Sequence, residues 1–305
     1  MPKVVLETKN IWKKIGHNVI VNDLSLKLYE GDILGFIGVN GAGKTTTIKL
    51  LLGLQDINGG QVLIDVYDLK KDFIIAISNV GAIIENPDLY MYMTGYENLR
   101  MSALLYGIDN NRINEVVKLV GLENKINEKV KKYSLGMRQR LGIAQAILHK
   151  PKVLILDEPM NGLDPFGIKE LKDLIIKLAK NEKIAILISS HLLSELENIC
   201  NRVCIISKGK IIKDTSIEDI KKITESNSYV LELSNTNLTN IISNYQVIDD
   251  NHIKIKGNIE RITNVLKTLL LNNISILEMK KEMLSLEDAF LEMEKNNQNA
   301  KINFN

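Results

Sequence analysis

Cysteine is nearly absent from this chain: Cys200 and Cys204 are the two present in 305 residues. Two are too few for a disulfide framework at this size, and with no Cys/His pairs nearby they make a poor zinc site. They read as small buried hydrophobes in a reducing compartment. An excess of charge of one sign is also missing. Lys+Arg 39 against Asp+Glu 37 leaves a formal net charge of +2, which is no global electrostatic footprint for a nucleic-acid binder and leaves room only for a local basic patch. Long apolar runs are missing too. The longest, such as Val153 to Leu156 and Ile184 to Ile188, fall far short of the about 18–20 residues that a membrane-spanning helix requires. The opening MPKVVLETKN holds no apolar signal core, so secretion is not indicated. With 45% hydrophobic and 25% charged residues, the composition is that of an ordinary globular protein, not a disordered or fibrous one.

What is present has a clear order. A chain of 305 residues suits one large domain plus a small one. Residues Lys3 to Lys27 read as two short strands around a polar turn at Gly16, His17 and Asn18, because apolar residues alternate there. Asp32 to Gly38 is a compact apolar run ending in glycine, and an apolar helix follows from Thr45 to Leu54. A mostly helical middle comes next. Thr94 and Glu97 form a capping box, and Ile113, Val116, Val117 and Val120 repeat at helical spacing up to Gly121. From Lys152 onward, apolar strands at Val153 to Leu156, Ile184 to Ser189 and Val203 to Ser207 alternate with helices at Ile168 to Leu178 and Leu192 to Asn198. Such alternation predicts an α/β sheet covered on both faces. After about Ile220 the composition changes. Strands at Tyr229 to Leu233 and Ile253 to Lys256, with an amphipathic helix from Ile259 to Leu271, predict a separate small α+β unit.

Two motifs, read together, carry chemistry. Gly38-Val39-Asn40-Gly41-Ala42-Gly43-Lys44-Thr45-Thr46 fits the phosphate-loop pattern and sits between a predicted strand and a predicted helix. Glycines let the backbone wrap a polyphosphate, so that successive N–H groups and the positive helix end face the anion. Lys44 would reach the outer phosphates, and the Thr45 hydroxyl would ligate Mg²⁺. Further on, the apolar strand Val153 to Leu156 ends in Asp157-Glu158-Pro159. This delivers two carboxylates to the edge where open α/β sheets bind ligands. Neighbours on a strand point opposite ways, so the two should differ in role. Asp157 would hold Mg²⁺ through water, and Glu158 would orient or deprotonate an attacking water.

Between these elements, Tyr133-Ser134-Leu135-Gly136-Met137-Arg138-Gln139-Arg140 resembles the signature sequence of ATP-binding cassette (ABC) ATPases. Asn161-Gly162-Leu163-Asp164 resembles the D-loop of that family, and His191 stands where its switch histidine does. The resemblance spans Val4 to about Ile220. It implies a phosphate-loop NTPase core with an antiparallel β subdomain and a helical subdomain at about 88–150. These make up a domain of residues 1–220, followed by an accessory unit at 221–293 and a flexible tail at 294–305. The implied activity is ATP hydrolysis coupled to transport, with ATP and Mg²⁺. The implied partners are a separate permease and a second ATPase subunit in a head-to-tail homodimer. Each ATP would then touch Asn40, Gly41, Ala42, Gly43, Lys44, Thr45 and Thr46 of one copy and Ser134 and Gly136 of the other. The helix predicted from Gly136 to Leu148 would aim its N-terminus at the γ-phosphate. The implied location is the cytoplasmic side of the membrane, held there by the permease, and no nucleic-acid partner is expected.

Two positions depart from the family pattern. Ile15 stands where an aromatic residue usually stacks on adenine, and Trp12, three residues earlier, reads as a packed strand residue. Glu85 replaces the usual glutamine in Val80-Gly-Ala-Ile-Ile-Glu85-Asn-Pro87. This context is similar to the bacitracin-resistance and lantibiotic self-immunity group, and it makes Glu85 a candidate third metal-site residue beside Thr45 and Asp157. Ser285 to Leu291 is similar to the end of ATPase subunits of drug and peptide exporters. The competing class is a non-transport ABC ATPase acting on ribosomes or nucleic acid. That class typically carries a second cassette, a long coiled coil or zinc-binding insertions, and none is visible in the sequence.

Overall fold

Alternating residues at the N-terminus build an antiparallel sheet. In the computed structural model, which describes residues 3–234, 238 and 241–283, β1 (Val4–Ile15) pairs with β2 (Asn18–Leu24) and β3 (Lys27–Tyr29). Next come β4 (Ile33–Ile37), α1 (Lys44–Leu51), β5 (Gly59–Ile64), β6 (Tyr67–Asp68), α2 (Phe73–Ile77) and β7 (Val80–Ile83). β1 also pairs with β5, so it runs 12 residues, longer than expected, because three strands zip onto it. Register shifts along those pairings absorb the changes of partner.

The helical middle comprises α3 (Gly95–Tyr106), α4 (Asn110–Leu119) and α5 (Leu135–Ile147). The Thr94/Glu97 capping box is formed in both directions. α4 stops just before Gly121, whose φ of 67° suits glycine. The alternation then resumes with β8 (Val153–Asp157), α6 (Pro165–Asn181), β9 (Ala185–Ser190), α7 (Leu193–Leu196), β10 (Arg202–Ser207) and β11 (Lys210–Ser216). The expected helix at Leu192 to Asn198 is cut to one turn. The chain must return at once to the sheet, where Asn201 exchanges hydrogen bonds with Ile33 in both directions.

The six-stranded sheet has the order β11-β10-β4-β9-β8-β7, parallel apart from the β10/β11 pair. Every residue of β4, β8 and β9 is buried, as a sheet covered on both faces requires. Because these strands are parallel neighbours, the loops that follow them emerge at one edge.

The chain divides between Ile217 and Glu218 into two compact units. α8 (Ile217–Thr224) leads into β12 (Glu225–Leu233), followed by β13 (Tyr245–Val247), β14 (His252–Lys256), α9 (Ile259–Leu271) and β15 (Ile276–Met283). The strands form an antiparallel sheet of order β13-β14-β12-β15. α9 turns Ile262, Val265 and Leu269 into a core with Leu231, Leu233, Ile253 and Ile255. Ser285 to Leu291 and residues 294–305 lie outside the described residues.

Candidate active site

The loop after β4 is shaped by glycines at two close approaches. A Cβ at Gly38 would stand 2.5 Å from the Ile206 carbonyl oxygen. A Cβ at Gly43, where φ is 105°, would stand 2.9 Å from that of Ile20. Ala42 is buried and Asn40 and Gly41 are exposed, so the crest of the loop is open to a ligand. α1 follows without a side-chain cap, which leaves its first N–H groups to face whatever the loop holds. Lys44 is 5% exposed. Its Nζ donates to the Gly38 carbonyl at 2.6 Å and pairs with Glu158 Oε1 at 3.3 Å. Thr46 is half-buried.

β8 ends with its two carboxylates turned to separate partners. Asp157, 2% exposed, accepts from Thr45 Oγ1 at 2.9 Å and from Ser189 Oγ at 2.5 Å. Glu158 lies at φ 47°. Its side chain accepts from Asn161 Nδ2 at 2.6 Å, and its Oε2 stands 3.3 Å from His191 Nδ1. Burial raises the Glu158 pKa, but the Asn161 hydrogen bond and the neighbouring Lys44 and His191 outweigh it, holding the carboxyl below its ordinary range. Glu158 is therefore ionised at neutral pH. Asn161 opens the turn that follows, and Asp164 closes it by capping α6 through Gly167 N at 2.8 Å.

Ser189 and Asn161 hold the two carboxylates through bonds that no sequence motif announces. Ser189 faces Asp157 in the β8/β9 register, accepts from Glu158 N at 2.9 Å and donates to Asp157. Its signal is a pair of serines closing a strand that is otherwise wholly apolar.

The structure thus brings together Lys44, Thr45, Asp157, Glu158 and His191. Ser134, Gly136 and Glu85 are not bonded to this group. Ser134 caps α5 by accepting from Met137 N at 3.2 Å and is exposed, whereas Gly136 is half-buried, with Gly167 Cα 3.7 Å from where a Cβ would stand, an ordinary contact. Among the described residues, no hydrogen bond or ion pair joins Ser134 to the phosphate loop, or Glu85 to Thr45 or Asp157. Glu85 is exposed at φ 61°, just beyond β7. Trp12 is less packed than expected, at 40% exposure, and its indole covers Gly59. Ile15 is 48% exposed.

A glycine loop with its lysine, a hydroxyl beside a carboxylate, and an ionised carboxylate beside an imidazole, all at one edge of a parallel sheet, define a phosphate-loop hydrolase of the α/β class. Residues 21–161 match the ABC transporter family. The chain is 46% identical over 294 residues to the uncharacterized ABC transporter ATP-binding protein YhcH of Bacillus subtilis (strain 168), covering 95% of this chain and 96% of that one. It is 40% identical over 298 residues to the bacitracin transport ATP-binding protein BcrA of Bacillus licheniformis, covering 95% and 97%. A solved ATP-binding subunit of an ABC transporter superposes with a TM-score of 0.64 at 30% identity, covering 72% of this chain and 92% of that one. The chain belongs to the ATP-binding proteins of ABC transporters, ATPases that bind ATP and power transport. Subunits of this kind work with membrane-spanning permease components. Among the described residues, no helix is long and apolar enough to cross a membrane.

Proposed function

We propose that this chain hydrolyses ATP to drive export of a peptide antibiotic or similar amphiphile through a separate permease, from the cytoplasmic face of the membrane. The observation that carries the hydrolytic reading is Glu158, an ionised carboxylate set between Lys44 and His191. Glu158 would take a proton from the attacking water or hold it in line, while His191 would contact the γ-phosphate and Lys44 the outer phosphates. Thr45 and Asp157 offer a hydroxyl and an anionic carboxylate 2.9 Å apart, an oxygen donor set that fits Mg²⁺. Bound there, Mg²⁺ would neutralise phosphate charge.

Among the described residues, Ser134, exposed at the start of α5 two residues before Gly136, makes no hydrogen bond to the phosphate loop, which supports a site completed by a second copy in head-to-tail arrangement. Support for a permease surface comes from Tyr90, Met91, Tyr92, Met101, Leu104 and Leu105, all large, apolar and exposed within one stretch after Glu85. The peptide substrate class rests on the likeness to the bacitracin transport protein along nearly the whole chain.

The test is resistance. The chain expressed with its permease in a sensitive bacterium should raise tolerance to bacitracin-like peptides, and Lys44→Ala should abolish that gain. Equal tolerance with and without Lys44 would reject the reading.

A further inference from the structure

Glu195 lies four residues beyond His191, on the single turn of α7, and touches none of the reacting positions. Its carboxylate does reach back. Ser190 Oγ stands 2.5 Å from Glu195 Oε2 and 3.1 Å from the Leu192 carbonyl, and it accepts from Leu192 N at 2.9 Å. A serine hydroxyl carries one hydrogen. The shorter, charge-assisted contact takes that hydrogen, which leaves the oxygen lone pairs to receive the Leu192 N–H. The chain Leu192 N–H to Ser190 O–H to Glu195 closes a tight turn whose apex is His191. Ser190 is itself 2% exposed, and its carbonyl accepts from Gly38 N at 3.3 Å, so the base of the turn is anchored to the start of the phosphate loop. α7 has no side-chain cap at its start; the Glu195 bond, with the Leu192 bond to Ser190, ties it back to the strand end. His191 is 37% exposed and meets Glu158 at 3.3 Å. Without a fixed turn, an exposed imidazole would sample many rotamers and lose that register.

We propose that Glu195 is a positioning residue of the hydrolytic site: by accepting the Ser190 hydroxyl it fixes the turn that holds His191 over Glu158. This rests on His191 taking part in hydrolysis. Turnover of Mg-ATP by the purified full chain tests both statements separately. His191→Ala should lower turnover strongly; if it does not, the role of His191 fails. Given that loss, Glu195→Ala should lower kcat about tenfold with KM changed less than about twofold, because an interaction that positions a reacting group acts on the transition state. Glu195→Gln keeps an acceptor oxygen and should restore most of the rate. In the His191→Ala background, Glu195→Ala should cost nothing further, since it acts through the missing imidazole. Ser190→Ala removes the donor without adding bulk and should match Glu195→Ala, which carries the test if Glu195→Ala does not fold. A full-rate Glu195→Ala or Ser190→Ala, a Gln variant as slow as Ala, or an independent loss on top of His191→Ala would each overturn the proposal.

Discussion

Removing one oxygen atom, in Ser189→Ala, should damage both the stability and the rate of this enzyme. Ser189 is 0% exposed, and its hydroxyl donates to Asp157 at 2.5 Å while accepting from Glu158 N at 2.9 Å. Alanine leaves the Glu158 N–H unpaired and strips Asp157 of one of its two hydrogen bonds. A hydrogen bond to a charged group is worth about 1.5–3 kcal/mol, and a buried donor left unpaired costs about 1–3 kcal/mol. The two share one oxygen atom and do not simply add, so the expected loss is about 3 kcal/mol. Asp157 keeps its bond from Thr45, which prevents a larger loss. At about 2–4 °C per kcal/mol for chains of roughly this size, the melting transition should fall by about 6–12 °C. Calorimetry on the full chain measures it. Turnover of Mg-ATP should fall about tenfold or more in parallel, because the same oxygen orients the backbone of Glu158 and one oxygen of Asp157. A shift under about 1 °C with turnover unchanged would refute the reasoning, since it would mean that water or a relaxed rotamer replaces the bond without penalty.

Three further outcomes are expected. Glu158→Gln keeps size and removes the basic carboxylate, so turnover should drop by about 10²–10⁴ while ATP binding persists and size-exclusion chromatography with Mg-ATP shows a trapped dimer; a strictly monomeric variant with near-normal turnover would count against this. Ser134→Arg should abolish hydrolysis while leaving nucleotide affinity of the isolated subunit intact, whereas Lys44→Ala should weaken affinity itself, and calorimetric titration of both distinguishes a shared site from a site within one copy. Asn161→Ala concerns pH. The Glu158 carboxyl is depressed in the folded chain, so its contribution is present above the unfolded pKa and is lost as pH falls through the folded one. The acid limb of kcat/KM, which reports the free enzyme, should therefore lie below the ordinary carboxylate range. Without the Asn161 hydrogen bond it should move upward, and an immobile limb would exclude Glu158 as its source.

Much of the fold was legible where one signal dominated. β8 and β9 are continuous apolar runs, and Ile259 to Leu271 carries an apolar stripe at helical spacing that matches α9 residue for residue. β15 carries no clear sequence signal, because Ile-Leu-Glu-Met-Lys-Lys-Glu-Met places charges inside an edge strand, where period and composition disagree. β11 is hidden in the same way: Lys210–Ser216 alternates exposed with half-buried residues and includes Lys213 and Asp214. At the site, Lys44, Thr45, Asp157 and Glu158 were legible because each belongs to a local motif with its own chemistry. The bond from Ser189 to Asp157 was not, because it spans 32 residues and depends on the register of two strands, which periodicity does not specify.

Glu158 occupies a left-handed backbone conformation, at φ 47°, that a residue with a Cβ adopts at a cost of about 1 kcal/mol. Glycine or asparagine would sit there more comfortably, and neither could do the chemistry. Evolution and protein engineering therefore pull this position in opposite directions. A library of variants sorted only for heat resistance or expression should drift toward glycine at position 158 and return sturdy, inert proteins. Attempts to toughen this enzyme should hold residues 157–161 and 189–195 fixed and seek their gains elsewhere.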